Sequence, residues 1–160
     1  MKKAIVLLLS IVFINCASNK PKSSFTENLF KNLEFYKCDK GEIDRFLLQS
    51  GVFKSIGTTK MKFGSPAKNY TTLDKYKTNV TFVSVMDDNK QYNLISNRPG
   101  AYNYILKNGT FKETVTNNSG ITNMVYIFNN SKYLLEMEEV RLGGTTMKSY
   151  KITSWCYTVN

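Results

Sequence analysis

The sequence predicts a mainly β protein: an antiparallel up-and-down meander of about eight strands, closing into a barrel behind short N-terminal helical segments. Two observations carry this expectation. After Gly51, turn clusters recur at short intervals: Asp87-Asp88-Asn89, Asn97-Arg98-Pro99-Gly100, Asn108-Gly109, Asn117-Asn118-Ser119-Gly120, Asn129-Asn130-Ser131 and Gly143-Gly144. The stretches between them are rich in Val, Ile, Thr, Tyr and Phe, the pattern of successive hairpins. None of the connections looks long enough for a helical crossover, so the strands are expected to pair antiparallel. Closure would remove the exposed edges of such a sheet, and eight strands leave room for side chains or one small ligand.

Taken in order, the chain opens with Met1-Lys2-Lys3 and an apolar run from Ala4 to Ile14, broken by Ser10. That run is too short to span a bilayer and suits a signal segment, 1–15. Cys16 follows directly, which points to a lipidated cysteine as the first mature residue. Phe13-Ile14-Asn15 departs from the usual Leu, small, small pattern, so plain secretion with cleavage after Ala17 or Ser18 is the competing reading. Residues 16–24 then read as anchor and polar tether, and 25–160 as one domain. The expected location is a bacterial cell envelope, lipid-anchored and periplasmic or surface-exposed.

Phe25, Leu29, Leu33 and Tyr36 recur at intervals of three and four, which predicts a helix over 25–36 with Thr26 as N-cap. A second helix fits 41–48, with Ile43, Phe46 and Leu47 on one side and Gly51 as a stop. Strands are expected at 80–86, 91–96, 102–107, 110–116, 122–128, 132–141 and 146–159, with one or two more between Val52 and Leu73. Lys107-Asn108-Gly109-Thr110 looks like the clearest hairpin, because Asn-Gly adopts the positive φ angles of a type I′ turn.

With 42% hydrophobic and 13% aromatic residues the chain can build one core, which excludes wholesale disorder. Without Lys2 and Lys3 the mature net charge is about +8. This favours anionic surfaces such as lipid head groups. The lysines are scattered singly, so no nucleic-acid partner is expected. The chain has no histidine, which removes Cys-His nucleophiles and His-bearing zinc sites. With Cys16 as anchor, Cys38 and Cys156 remain as an expected disulfide in an oxidising compartment. No cofactor, metal or catalytic residue is expected. Glu136, Glu138 and Glu139 read as surface acids, and Asp87-Asp88 as turn residues.

Four segments resemble the small bacterial lipocalin-like domains of the calycin type. Ser50-Gly51-Val52-Phe53 stands where those domains open their first strand, with Phe53 in place of tryptophan. Val80 to Asp88 is similar to their central strand and acidic turn, and Pro99 to Val115 to their glycine, tyrosine, Asn-Gly, Glu-Thr hairpin. Thr153-Ser154-Trp155 is similar to their closing strand, although Cys156-Tyr157 replaces the charged pair that follows the tryptophan. The resemblance covers about two thirds of the chain and implies a barrel holding a small hydrophobic or amphipathic molecule, without catalysis.

Alternation marks the residues that would line such a barrel. Phe82 shares a face with Val80, Ser84 and Met86; Tyr102 and Tyr104 with Leu106; Tyr126 and Phe128 with Met124; Phe111 and Glu113 with Val115. Phe53 and Trp155 join them through the resemblance, at the places of the first-strand and closing-strand tryptophans. These ten residues — Phe53, Phe82, Ser84, Tyr102, Tyr104, Phe111, Glu113, Tyr126, Phe128 and Trp155 — form the candidate ligand site. Two readings stand for them: an apolar pocket with tyrosine hydroxyls as handles, or a barrel filled by its own side chains. Under the second, the protein would act on a protein partner through its outer face. Glu113 is either a polar anchor for the ligand or an edge acid paired with a neighbour.

Overall fold

The computed structural model describes residues 24–60, 65–73, 80–88, 90–117, 120–142 and 144–158. The expected signal segment, Cys16 and the tether up to residue 23 lie outside the described residues. In chain order the elements are α1 (Phe25–Tyr36), α2 (Lys40–Gln49), β1 (Phe53–Thr59), β2 (Ala67–Thr72), β3 (Thr81–Met86), β4 (Gln91–Ser96), α3 (Gly100–Asn108), β5 (Thr110–Thr116), β6 (Thr122–Phe128), β7 (Ser131–Leu142) and β8 (Thr145–Thr158). Among the described residues no helix is long and apolar enough to cross a membrane.

The first helix covers the predicted residues, but its N-cap is Ser24, whose side chain accepts from the Glu27 amide at 3.3 Å. Thr26 is instead buried, and its Oγ1 accepts from the Ala101 amide at 3.3 Å. Helix α1 ends where Lys37 and Cys38 turn left-handed, with φ of 42° and 63°. Asp39 then caps α2 by accepting from the Glu42 amide at 3.0 Å.

All eight strands form one antiparallel sheet in the order β1-β2-β3-β4-β8-β7-β6-β5. Each run of four goes up and down, and the two runs meet where β4 pairs with β8. The sheet is not closed. Among the described residues β1 and β5 are its two unpaired ends, so the expected closure into a barrel is not seen. Two causes account for this. The apolar face that a barrel would bury against itself is covered by helices: Leu29, Phe30 and Leu33 of α1, Ile43 and Leu47 of α2, and Ala101, Tyr102 and Ile105 of α3 pack on Tyr70, Val83, Tyr92, Leu94, Tyr133, Leu135 and Ile152. In addition, α3 carries the chain from β4 to the far edge, so β5 starts away from β4.

Helix α3 replaces the strand expected at 102–107 and the Asn108-Gly109 hairpin. Ala101, Tyr102 and Ile105 fall on one helical face and are buried together, whereas alternation would have grouped Tyr102, Tyr104 and Leu106. Asn108 sends its side-chain amide back to the Tyr104 carbonyl at 2.7 Å. Gly109 ends the helix with φ −91°, without the positive angle of a type I′ turn. A short apolar run cannot be assigned to helix or strand by pattern alone, and here tertiary packing chooses helix.

The remaining strands lie within two residues of their expected positions. The disulfide is formed: Cys38 and Cys156 are bonded across 118 residues, with Cα atoms 5.9 Å apart. It fixes the C-terminal end of α1 to β8.

Candidate functional site

The space between helices and sheet is occupied by side chains. Tyr70, Tyr92, Tyr133, Phe30, Leu33, Leu94 and Ile152 are each buried to within 2% of completely. At its centre sits a carboxylate. Glu34, on α1, accepts hydrogen bonds from Tyr92 Oη at 2.7 Å and from Tyr133 Oη. Burial pushes the Glu34 carboxyl above its ordinary range, against the lowering effect of the two hydroxyls and of Lys37. Burial and the facing carboxylate push both tyrosines well above theirs. Nearby, Asp44 of α2 accepts from Lys68 Nζ at 2.7 Å and from Tyr70 Oη at 3.0 Å. Burial alone would raise its carboxyl, but those two partners hold it low. Both acids bind helices to the sheet. Glu34 escaped the sequence reading, though one signal was there: it lies four residues after Phe30, on the apolar stripe of α1.

The opposite, helix-free face of the sheet is laid out by register. Asn69, Ser84, Asn93 and Thr153 follow one another across β2, β3, β4 and β8. Ser84 Oγ donates to Asn69 Oδ1 at 2.7 Å and Thr153 Oγ1 to Asn93 Oδ1 at 2.8 Å. The neighbouring row runs Phe82, Ile95, Lys151, Glu136, with an ion pair between the last two at 3.5 Å.

Beside that row opens an apolar groove. The β7–β8 hairpin runs on past the end of β4, whose last residue Ser96 pairs with Tyr150. Val140 and Met147 stand opposite each other on this extension, as Phe82 and Ile95 do on β3 and β4. Between the two pairs lies a half-open groove of about 160 Å3, completed by Val80, Ser96, Asn97, Lys148 and Ser149. Phe82 remains 40% exposed there.

The ten expected lining residues are dispersed. Phe82 lines the groove; Ser84 and Trp155 share its face, with Lys132 Nζ 5.8 Å from the Trp155 ring. Tyr102, Tyr104, Tyr126 and Phe128 lie on the helical side. There the Tyr102 ring is 5.3 Å from Tyr150, and Tyr104 packs on Phe30 and Phe128 at 6.0 and 5.6 Å. Phe53 is buried beneath Phe25, rings 6.1 Å apart. Phe111 and Glu113 sit on the exposed edge strand β5. A bulge between them breaks the alternation that had put both on one face.

Among the described residues no cluster of three or more cysteine, aspartate or glutamate side chains could hold a metal ion. No known family model, no curated protein and no solved structure matches this chain. Of the four lipocalin-like segments, three fall on β1, β3 and β8, and the third in order, Pro99 to Val115, is a helix followed by an edge strand.

Proposed function

We propose that this chain is a non-catalytic binding lipoprotein of a bacterial envelope, held to the membrane through Cys16. It engages a protein partner through the helix-free face of its sheet. One contrast carries the reading: the interior is packed solid, while the open face keeps an apolar groove lined by Val80, Phe82, Ile95, Val140 and Met147. Enclosure of a ligand in a barrel has no part in it. A dry cavity of about 150 Å3 accommodates one benzene-sized group, so a groove of about 160 Å3 suits a single apolar anchor side chain of a partner. Carrier sites are typically larger, roughly 300–1,000 Å3. The second reading, a small hydrophobic ligand seated in the groove, is supported by the apolar lining alone.

Site-specific photo-crosslinking separates these readings. A crosslinker at Ser149 is expected to trap one defined protein adduct in cells, lost on Phe82→Asp, whereas one at Asn32 on α1 should not. If instead Ser149 gives no protein adduct and an environment-sensitive fluorophore binds the groove saturably, the small-ligand reading replaces the partner. The anchor has its own check: Cys16→Ser should move the mature protein into the soluble fraction, and retention on the membrane would refute lipidation.

A further inference from the structure

The β7–β8 hairpin outruns its neighbour. β4 pairs with β8 only as far as Ser96 opposite Tyr150, whereas β7 stays paired with β8 to Leu142 opposite Thr145. Residues 145–149 of β8 therefore have β7 on one side and, among the described residues, no strand on the other. The direction of their backbone groups follows from the ladder. At one end of β4 the Cys156 amide donates to the Lys90 carbonyl at 2.9 Å; at the other, the Asn97 amide turns to Val80 of β3 at 3.2 Å, which leaves Ser96 facing Tyr150. The N–H and C=O of one strand residue point the same way, and successive residues alternate. The register with β7 is unbroken from Trp155 to Thr145, so Lys148 and Thr146 turn two N–H and two C=O groups into an empty lane in line with β4. Thr145, Thr146 and Lys148 are exposed. The apolar groove borders this lane through Ser96, Met147, Lys148 and Ser149.

We infer that the lane accepts an extended strand of the partner protein, added to the sheet beside β8, with one apolar side chain in the groove. The inference rests on the partner reading of the groove and names the form the partner takes. A row of alternating N–H and C=O groups along a sheet edge is matched by another extended backbone. Main-chain bonds then supply affinity, and the groove selects the side chain. Residues directly opposite each other share a face, so the added residues opposite Met147 and Ser149 point to the open face, and an apolar one there enters the groove. Along the extension Lys148 stands opposite Glu139, and Arg141 and Glu138 add one charge of each sign. With those charges cancelling, the strand needs no acidic or basic run. A second copy fits the lane poorly. The register that sets Met147 beside Met147 of the copy would bring the copy's Gly144 opposite Tyr150, where Ser96 already stands.

The test sets backbone against side chain. A phage library of random linear dodecapeptides is selected on the oxidised full chain, and a recovered peptide is synthesised with blocked ends. Its affinity should fall about tenfold or more in Lys148→Pro, which removes one outward N–H and leaves its partner unmatched. Lys148→Ala should bind as the parent does, and Phe82→Asp should not bind. Affinity should hold as salt is raised, since no net charge is engaged. Amide exchange at Thr146 and Lys148 should slow on binding. Proline is tolerated on an edge strand whose N–H faces solvent; if Lys148→Pro fails to fold, Thr146→Pro removes the other outward N–H. A peptide that requires Phe82 but ignores both prolines overturns the added strand and leaves the groove reading in place. Peptides indifferent to Phe82→Asp, or no peptide recovered, overturn both. A dimer seen in sedimentation and dissolved by Lys148→Pro would put a second copy in the lane and overturn the inference.

Discussion

The Glu34 carboxylate accepts a hydrogen bond from Tyr92 Oη at 2.7 Å, which joins the last full turn of α1 to the middle of the sheet. The same carboxylate takes the Tyr133 hydroxyl. A raised acid in the folded state contributes its stability fully below its unfolded value, 4.5, and loses it as pH rises through the folded value. Melting curves from pH 4 to 8 should therefore show the parent losing stability with rising pH relative to Glu34→Gln, which keeps an acceptor for one tyrosine and can donate to the hydroxyl oxygen of the other. Glu34→Ala leaves two buried hydroxyls unmatched and should cost about 1 to 3 kcal/mol for each one left unsatisfied. Parallel pH profiles for the parent and Glu34→Gln would refute the assignment.

The disulfide joins two cysteines 118 positions apart. In the chain-entropy model a loop of this size contributes about 4 to 5 kcal/mol. The native protein should resist alkylation at Cys38 and Cys156 until reductant is added, and the Cys38→Ser, Cys156→Ser chain should unfold at markedly lower denaturant. Rapid labelling of both thiols in the native, unreduced protein would contradict the bond.

Groove and core should answer oppositely to changes in volume. Leu94→Ala removes buried methyl groups between α1 and the sheet and should cost about 2 to 5 kcal/mol. Ser149→Trp adds bulk at the half-open groove and should change stability by less than about 0.5 kcal/mol, as at an ordinary surface site, while abolishing co-purification of the proposed partner. A large loss of stability from Ser149→Trp would mean that the groove is closed in solution.

Gly100 opens α3 against Ser24. A Cβ there would stand 1.6 Å from Ser24 Oγ, 2.6 Å from Thr26 Oγ1 and 2.8 Å from Ser24 Cβ. Helix propensity alone would make Gly→Ala stabilising by up to about 1 kcal/mol. Crowding should reverse the sign, because Ser24 must give up its cap on α1, itself a contribution of about 1 kcal/mol. Chemical denaturation of Gly100→Ala reads the sign directly, and a more stable variant would show that the two helix starts are not in contact.

The sequence by itself determined the elements whose signal is local. Phe25, Leu29 and Leu33 repeat at helical spacing, and 91–96, 110–116 and 122–128 are bounded by turn residues on both sides, so helix and strands emerge where they were expected. The pairing of Cys38 with Cys156 was legible too, as the two cysteines outside the expected signal region. Only the tertiary structure decided Tyr102 to Leu106, whose apolar residues satisfy either period and become helical because Ala101, Tyr102 and Ile105 can bury against α1 and β8. That choice moved β5 to the far edge, put β8 beside β4 and left the sheet open. Glu34 with its tyrosines, and Phe82 with Met147, depend on that same decision. Residues dozens of positions apart meet only once strand order and register are set, and neither is encoded in the spacing along one chain segment.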